Sequence, residues 1–391
     1  MNILYVTSEN IYGTGSSNLR NISIIEGFIS LGHHVSILSM EPDEKAKKFD
    51  SDIKARLEGT KCYFLQNNSL QKVFAVKKTS RKNKMFSKVR QTLYKTVKSL
   101  YLKFSPDTLM QAVHNVNKDM FPKEQYDIVI SSSDPVSSHH LAKMFLSSSQ
   151  QHSRWIQYWG DPLFLDITRK TANKKKMKKI EEGFLRDADK VVYTNPLVLE
   201  EQKKLYNDCS KKMCFVPTPF SFTKDNTSGK TDFEIGYFGS YMSCVRDIMP
   251  LCEAARQHHL RLIVMGGGDQ TIPESDMISV WPFQGTQTVT EYENKCKVLV
   301  CICNQPKNGK TVLQIPGKIY HYAMTDKPIM VVGADPKTRS YLGTFNRYYF
   351  TNNDAESIYN TFKTIIDGKS IIKNSPVNDF RNDIVADHFL S

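Results

Sequence analysis

The sequence predicts an α/β protein built from two successive Rossmann-like, doubly wound domains, and three observations carry that prediction. Its 391 residues exceed what one domain of about 150 residues accounts for, so two domains are expected. Short apolar runs of buried-strand type alternate with glycine- or proline-bearing loops and helical patterns, the grammar of a parallel sheet covered on both faces. That grammar restarts near the middle of the chain, and the charge divides there as well, with +12 in residues 1–206 and +1 in residues 207–391.

The first forty residues set out the first unit of the pattern. Asn2–Thr7 is a short apolar run, Tyr12–Ser17 a small-residue loop, and Leu19, Ile22, Ile25 and Ile29 recur at helical spacing before Leu31-Gly-His-His-Val35 leads into Ser36–Met40. Strand, glycine loop, helix, glycine stop and strand make a βαβ unit. Tyr126–Ser132, Arg154–Tyr158 and Lys190–Thr194 read as further buried strands. After Phe215–Phe220 and the polar linker Ser221–Thr231, the order repeats. Glu234–Phe238 is a strand, Ile248–Gln257 a helix, Leu260–Met265 a strand ending in three glycines, and Lys297–Cys303 and Pro328–Val332 are later strands. The expected domains are residues 1–215 and 216–370. A terminal segment, 371–391, carries a helix around Val377–Leu390.

With 40% hydrophobic and 24% charged residues, the chain has enough apolar surface for real cores, which excludes wholesale disorder. No uncharged apolar run reaches the ~18 residues of a spanning helix. Met1 leads directly into a β-type run without a basic region or a small-residue cleavage site, so a cytoplasmic protein is expected. The eight cysteines form no C-x-x-C pair and sit in apolar runs, where thiols pack as small hydrophobes. No metal or cofactor is expected.

In open α/β sheets ligands bind beyond the carboxyl ends of the strands, so the loops there are the candidates. In Tyr12–Asn18, Gly15 and Ser16 could bring backbone N–H groups and a helix N-terminus to a phosphate. The loop lacks the third glycine of a dinucleotide fingerprint, where Asn18 stands, but Glu41 could still hold a ribose, which leaves a nicotinamide-dependent oxidoreductase as one reading. The bland alternative is a loop that only turns tightly. Asp161 in Gly160-Asp-Pro162 places a carboxylate at a strand end, although Asp before Pro also starts ordinary turns. His139 follows Ser131–Ser138 and could serve as acid or base near neutral pH, or lie on a helix surface.

The most specific segment is Ile315-Pro-Gly-Lys-Ile-Tyr-His-Tyr-Ala-Met-Thr-Asp-Lys-Pro-Ile329. It resembles the donor-binding element of GT-B glycosyltransferases, in particular the retaining family 4. There the usual form is Pro-x-Lys-Leu-x-Glu-Tyr-(Leu/Met)-Ala-x-Gly-Lys-Pro. The likeness extends along the chain in order. Gly13–Val35, Ser132-Ser-Asp-Pro135, Trp159-Gly-Asp-Pro162, Leu185–Asn195, and Gly236-Tyr-Phe-Gly-Ser240 with Arg246 are each similar to a family segment. The resemblance implies a last helix, around Val377–Leu390, that crosses back onto the first domain, and a nucleotide-sugar donor, a UDP-sugar, held mainly by the second domain. Lys318 and Arg246 would neutralise the diphosphate beside Gly239 and Ser240. The backbone around Phe283 and Gln284 would hold the base, and His321 with Tyr322 would meet the nucleoside or sugar. The chain departs from the family in having His321 in place of Glu, Leu313 in place of a second carboxylate, and Leu251 in place of a second basic residue.

The basic half points to a different partner. No acid occurs between Glu58 and Asp107, while Lys72, Lys77, Lys78, Arg81, Lys82, Lys84, Lys88, Arg90, Lys95, Lys98 and Lys103 supply positive charge. Phe86, Val89, Leu93, Val97, Leu100 and Phe104 recur at helical spacing within this run, which predicts a basic amphipathic helix. Such a helix suits an anionic membrane surface, with Lys77–Arg90 as its contact. A second basic cluster runs from Arg169 to Lys179. The stretch carries no recognisable nucleic-acid module, so no nucleic acid is expected. With the resemblance, this implies a peripheral protein on the inner face of the membrane. Its sugar acceptor would be lipid-linked, in bacterial surface-polysaccharide assembly (O-antigen, capsule or exopolysaccharide). An inactive GT-B adaptor at the membrane surface is the other reading.

Overall fold

A computed structural model describes residues 1–44, 49–66, 84–149, 152–166, 173–221, 231–305, 313–368 and 372–391, with the backbone alone over 84–91. Two compact units emerge, Met1–Phe49 with Leu57–Val216, and Asp50–Arg56 with Pro217–Ser391. The C-terminal helix Asn382–Leu390 groups with the second unit.

The first unit holds seven parallel strands: β1 (Asn2–Val6), β2 (His34–Met40), β3 (Lys61–Leu65), β4 (Ile128–Ser132), β5 (Arg154–Trp159), β6 (Lys190–Tyr193) and β7 (Met213–Phe215). They lie in the order β3-β2-β1-β4-β5-β6-β7. The strand order reverses between β1 and β4, which pair in register with Leu4 opposite Val129. As expected from the leading βαβ pattern, helix Ser16–Ser30 connects β1 to β2. Its buried stripe is Ile22, Ile25 and Phe28, whereas Ile29 is exposed. The apolar spacing was right but its edge lies one position away.

The second unit holds β8 (Phe233–Tyr241), β9 (Leu262–Gly268), β10 (Ile278–Trp281), β11 (Cys296–Ile302), β12 (Ile329–Val332) and β13 (Tyr348–Thr351) in the order β10-β9-β8-β11-β12-β13. All its pairings are parallel. Successive residues of a strand point to opposite faces, and both faces are covered. Val298, Val300 and Ile302 enter one apolar cluster while Leu299, Cys301 and Cys303 enter the other. Each such burial is worth roughly 1.5–3 kcal/mol, so the sheet is held from both sides. Two of the unit's helices, Pro336–Gly343 and Ala355–Ile366, start on capping side chains: Asp335 accepts from the amides of Lys337 and Thr338, and Asp354 from that of Ser357. These caps satisfy N–H groups that the helices leave unpaired.

The basic stretch forms helix Lys84–Leu102. Lys77, Lys78, Arg81 and Lys82 lie outside the described residues, as do the side chains of Lys84, Lys88 and Arg90. Along its described part Leu93 and Leu100 are exposed, as is Phe104 just beyond. No described helix is long and apolar enough to cross a membrane.

Candidate functional site

The second unit's sheet reverses its strand order between β8 and β11, and the crevice beyond the carboxyl ends at such a point is where open sheets bind ligands. There β8 ends in Gly239-Ser240-Tyr241, paired residue for residue with Gly266-Gly267-Gly268 of β9. These glycines are required by close approach. A Cβ at Gly266 would collide with the Gly239 carbonyl and one at Gly268 with the Tyr241 carbonyl. Bare backbone therefore forms the floor. The ring of Phe283 lies 3.1 Å from where a Gly267 Cβ would stand, yet is otherwise 65% exposed. Beside it Gln284 Nε2 donates to the Pro282 carbonyl at 3.2 Å. An exposed aromatic beside a bare strand end offers a stacking surface for a flat ring.

Arg246 stands at this floor, and a second candidate cation, Lys318, lies in the same unit. Arg246, on the turn after β8, spans the reversal point. Its Nη1 donates to the Ser240 carbonyl at 3.1 Å and to Ser240 Oγ at 3.3 Å, while Nη2 donates to Asn304 Oδ1, just past β11, at 2.7 Å. Lys318 opens the helix Gly317–Tyr322 and reaches Glu293 Oε1 at 3.1 Å. The positive fields of both reach the Cys301 thiol on β11 and pull against its burial, which pushes the thiol up to about 12. Arg246 and Lys318, far apart in sequence, thus both act on this one strand.

Glu293, from helix Thr286–Asn294, is only 2% exposed. Its Oε1 stands 3.7 Å from His321 Nδ1 as well as holding Lys318. Sequence reasoning missed it. The available signal was its position four residues after Val289, one helical turn along the face that packs on the sheet. A carboxylate thus stands against Lys318 and His321, although residues 313 and 321 supply none. Burial drives the His321 imidazole down to about 4 even though Glu293 pulls the other way, so it is neutral near pH 7.

Tyr322 requires a correction. It is fully buried, with Lys318 Nζ 5.5 Å above its ring, and burial raises its phenol well above the usual range. It supports Lys318 from beneath and has no surface for a ligand. His139 requires another. It begins the second half-turn of helix Ser137–Ser148 but faces inward. It is fully buried against Trp159, ring centroids 4.3 Å apart, with Nδ1 2.8 Å from Ser131 Oγ. Burial, with the Arg20 charge adding to it, lowers its imidazole to about 3. The ring is therefore enclosed in the first unit's core rather than on a helix surface. Asp161 is half-buried on the turn after β5, and Gly15 and Ser16 open helix Ser16–Ser30 with no side-chain cap. Those three residues lie in the first unit. Among the described residues, no group of three or more His, Cys, Asp or Glu could hold a metal ion.

No family model matches this sequence. No curated protein matches it either. Solved structures do match in fold. Anabaena Alr3699/HepE, in complex with UDP-glucose, superposes with a TM-score of 0.59 at 10% identity over 99% of this chain and 95% of that one. A glycosyltransferase from Rickettsia africae ESF-5 gives 0.56 at 13% identity over 100% and 96%. An alpha-glucosyltransferase in complex with UDP and a 13-mer DNA containing an HMU base gives 0.55 at 11% identity over 100% and 95%. At these identities the likeness establishes the fold: two Rossmann-like domains of the GT-B class.

Proposed function

We propose that this chain is a glycosyltransferase, a retaining hexosyltransferase of the family 4 type. It takes a sugar from a UDP-sugar and passes it to a membrane-presented, lipid-linked saccharide in bacterial surface-polysaccharide assembly. The observation that supports the reading is Arg246 braced across the bare strand ends of β8 and β9, with Phe283 exposed alongside and Lys318 in the same unit acting with it on Cys301 of β11. A diphosphate fits two fixed cations and open backbone, and a nucleobase fits an exposed aromatic face. The fold shared with proteins solved with UDP-glucose and UDP supports the same donor.

The chemistry follows from the charges. Breaking the glycosidic bond to a nucleotide leaves negative charge on the departing diphosphate, and cations already in place stabilise that charge without reorganising. Arg246 is braced by Ser240 and Asn304. Lys318 is held by Glu293, and its ammonium has three donors, so it can keep that contact while receiving a phosphate oxygen. The two side chains supply the positive charge the step needs, and no metal or further cofactor enters the reading.

For the acceptor, the exposed apolar side chains Leu93, Leu100 and Phe104 favour a membrane. A lipid headgroup boundary takes up an apolar stripe flanked by lysines, whereas a nucleic acid needs only the charge. One structural relative was solved with DNA, so binding to duplex DNA belongs in the same experiment as binding to anionic vesicles. Vesicle binding is expected to survive salt that abolishes DNA binding. The direct test of the donor site is calorimetric titration with UDP. Lys318→Ala and Arg246→Ala are each expected to weaken it by about 1–3 kcal/mol, the range for losing a charge-assisted hydrogen bond. Unchanged affinity in both variants overturns this placement of the diphosphate.

A further inference from the structure

Each half of the chain sets one arginine across the point where its sheet reverses strand order. In the second unit this is Arg246. In the first it is Arg20, at the start of the second turn of helix Ser16–Ser30, reaching from the β1 side to the end of β4. Its Nη2 donates to Ser132 Oγ at 2.9 Å and to the Ser133 carbonyl, and its guanidinium lies 4.7 Å from the Tyr158 ring centroid. Ser132 Oγ passes a hydrogen bond on to Asn21 Oδ1, 2.7 Å away, which fixes the geometry from behind.

Arg20 is only 6% exposed, yet it makes no ion pair with any described carboxylate. Nη2 alone makes hydrogen bonds, and Nε is buried without a partner. A buried charge without an opposite charge or a full set of acceptors costs several kcal/mol. Arg347 provides the contrast. It is 1% exposed and its Nε is likewise without a partner, but both its outer nitrogens are engaged, Nη2 with the Thr325 and Lys327 carbonyls at 2.6 and 2.7 Å and Nη1 with Asn374 Oδ1 at 3.4 Å. Arg20 keeps Nη1 uncommitted, directed at the turn after β5, where Gly160 makes room for it. A Cβ at 160 would collide with Nη1. The same helix begins at Gly15 with no side-chain cap and no acid in its first turn, so its N–H groups add to the positive field at the same end of the sheet.

We propose that Arg20 is the centre of an oxyanion subsite in the first unit, which takes a phosphate or carboxylate group borne by the sugar-accepting substrate. That the bearer is a sugar acceptor rests on the transferase reading above; the subsite itself does not. The arginine supplies the charge, and the glycine at 160 keeps its outer nitrogen open to the ligand.

The test uses the full chain and inorganic phosphate, titrated by thermal shift and calorimetry at constant ionic strength. Three proteins are compared: wild type, the double variant Arg246→Ala with Lys318→Ala, in which the donor diphosphate site is removed, and that double variant carrying Arg20→Gln. Phosphate is expected to bind the double variant and to bind it at least tenfold more weakly once Arg20→Gln is added. Equal binding with and without Arg20→Gln, or no binding to the double variant, overturns the proposal. Should Arg20→Gln not fold, Gly160→Ala, whose Cβ displaces Nη1, carries the same expectation. Parallel titrations with glucose 1-phosphate and with glucuronate separate a phosphorylated from a carboxylated source, and either one lost in Arg20→Gln supports the subsite. UDP titration of the wild type is read separately. Its failure removes the transferase reading and leaves the phosphate result standing.

Discussion

Glu293 shows how much one buried carboxylate decides. It is 2% exposed and reached by Lys318 at 3.1 Å, so removing it strips a positioned cation of its partner, whereas removing both leaves neither charge unpaired. A double-mutant cycle is therefore expected to be non-additive. Glu293→Gln should cost on the order of 1–3 kcal/mol in the wild type and distinctly less in a Lys318→Met background, as read by urea unfolding. Additive losses would mean that the pair is not coupled. Lys318 and Arg246 are candidates from the sequence because they stand in local motifs, Pro-Gly-Lys and the segment after Gly-Tyr-Phe-Gly-Ser. Glu293 and Arg20 were not, because only the fold brings Glu293 to helix Gly317–Tyr322 and Arg20 to the end of β4. His139 and Tyr322 were misplaced for the converse reason: a side chain that could do chemistry gives no sign in one sequence of whether it faces solvent or core.

At the level of elements, the inner strands were readable and the edges were not. β1, β4, β5, β8, β9, β11 and β12 are covered on both faces and so appear as continuous apolar runs. The four strands the pattern missed, β3, β7, β10 and β13, are the four outer strands of the two sheets. β3, β7 and β10 are short and only partly buried, with Val280 and Trp281 exposed in β10, and half-covered strands lose the apolar signature that marks the rest; β13 is mostly buried but only 4 residues long. Helix Lys84–Leu102 makes its own prediction. Its Leu93 and Leu100 are exposed, so Leu93→Glu with Leu100→Glu should leave the melting temperature within about 2 °C, a change under ~1 kcal/mol for a chain of this size. The same double variant should release the protein from phosphatidylglycerol vesicles in co-sedimentation. A large fall in melting temperature would instead make the stripe part of a packed core.

For the whole molecule, buried histidines make stability depend on pH. The folded-state imidazoles of His139, His140 and His321 are pushed down to about 3, 4 and 4, chiefly by burial, while the unfolded chain binds protons near pH 6.5. Between those values the unfolded state holds more protons, so stability falls as the pH drops from about 6.5 toward 4 and is insensitive to these groups above 7. Each fully depressed site contributes about 1.4 kcal/mol per pH unit within its window. His139→Gln should flatten the acid limb of the melting-temperature profile relative to wild type. An unchanged limb would mean that the buried ring is not what titrates. GT-B architecture was anticipated from the repeated strand-loop-helix grammar and the order of weak motifs.

The account stands most directly on one measurement, the melting temperature of the purified chain against UDP, GDP, dTDP, CMP, NAD and NADP. A ligand that binds only the folded state must raise it. If the proposed placement of a diphosphate at Arg246 and Lys318 and a base at Phe283 holds, UDP is expected to raise the melting temperature of the wild type and to lose most of that effect in the Arg246→Ala and Lys318→Ala variants. A rise with NAD or NADP alone would make the chain a nicotinamide-dependent oxidoreductase, and no rise with any nucleotide would leave an inactive membrane-surface adaptor. Either result contradicts the donor site described here.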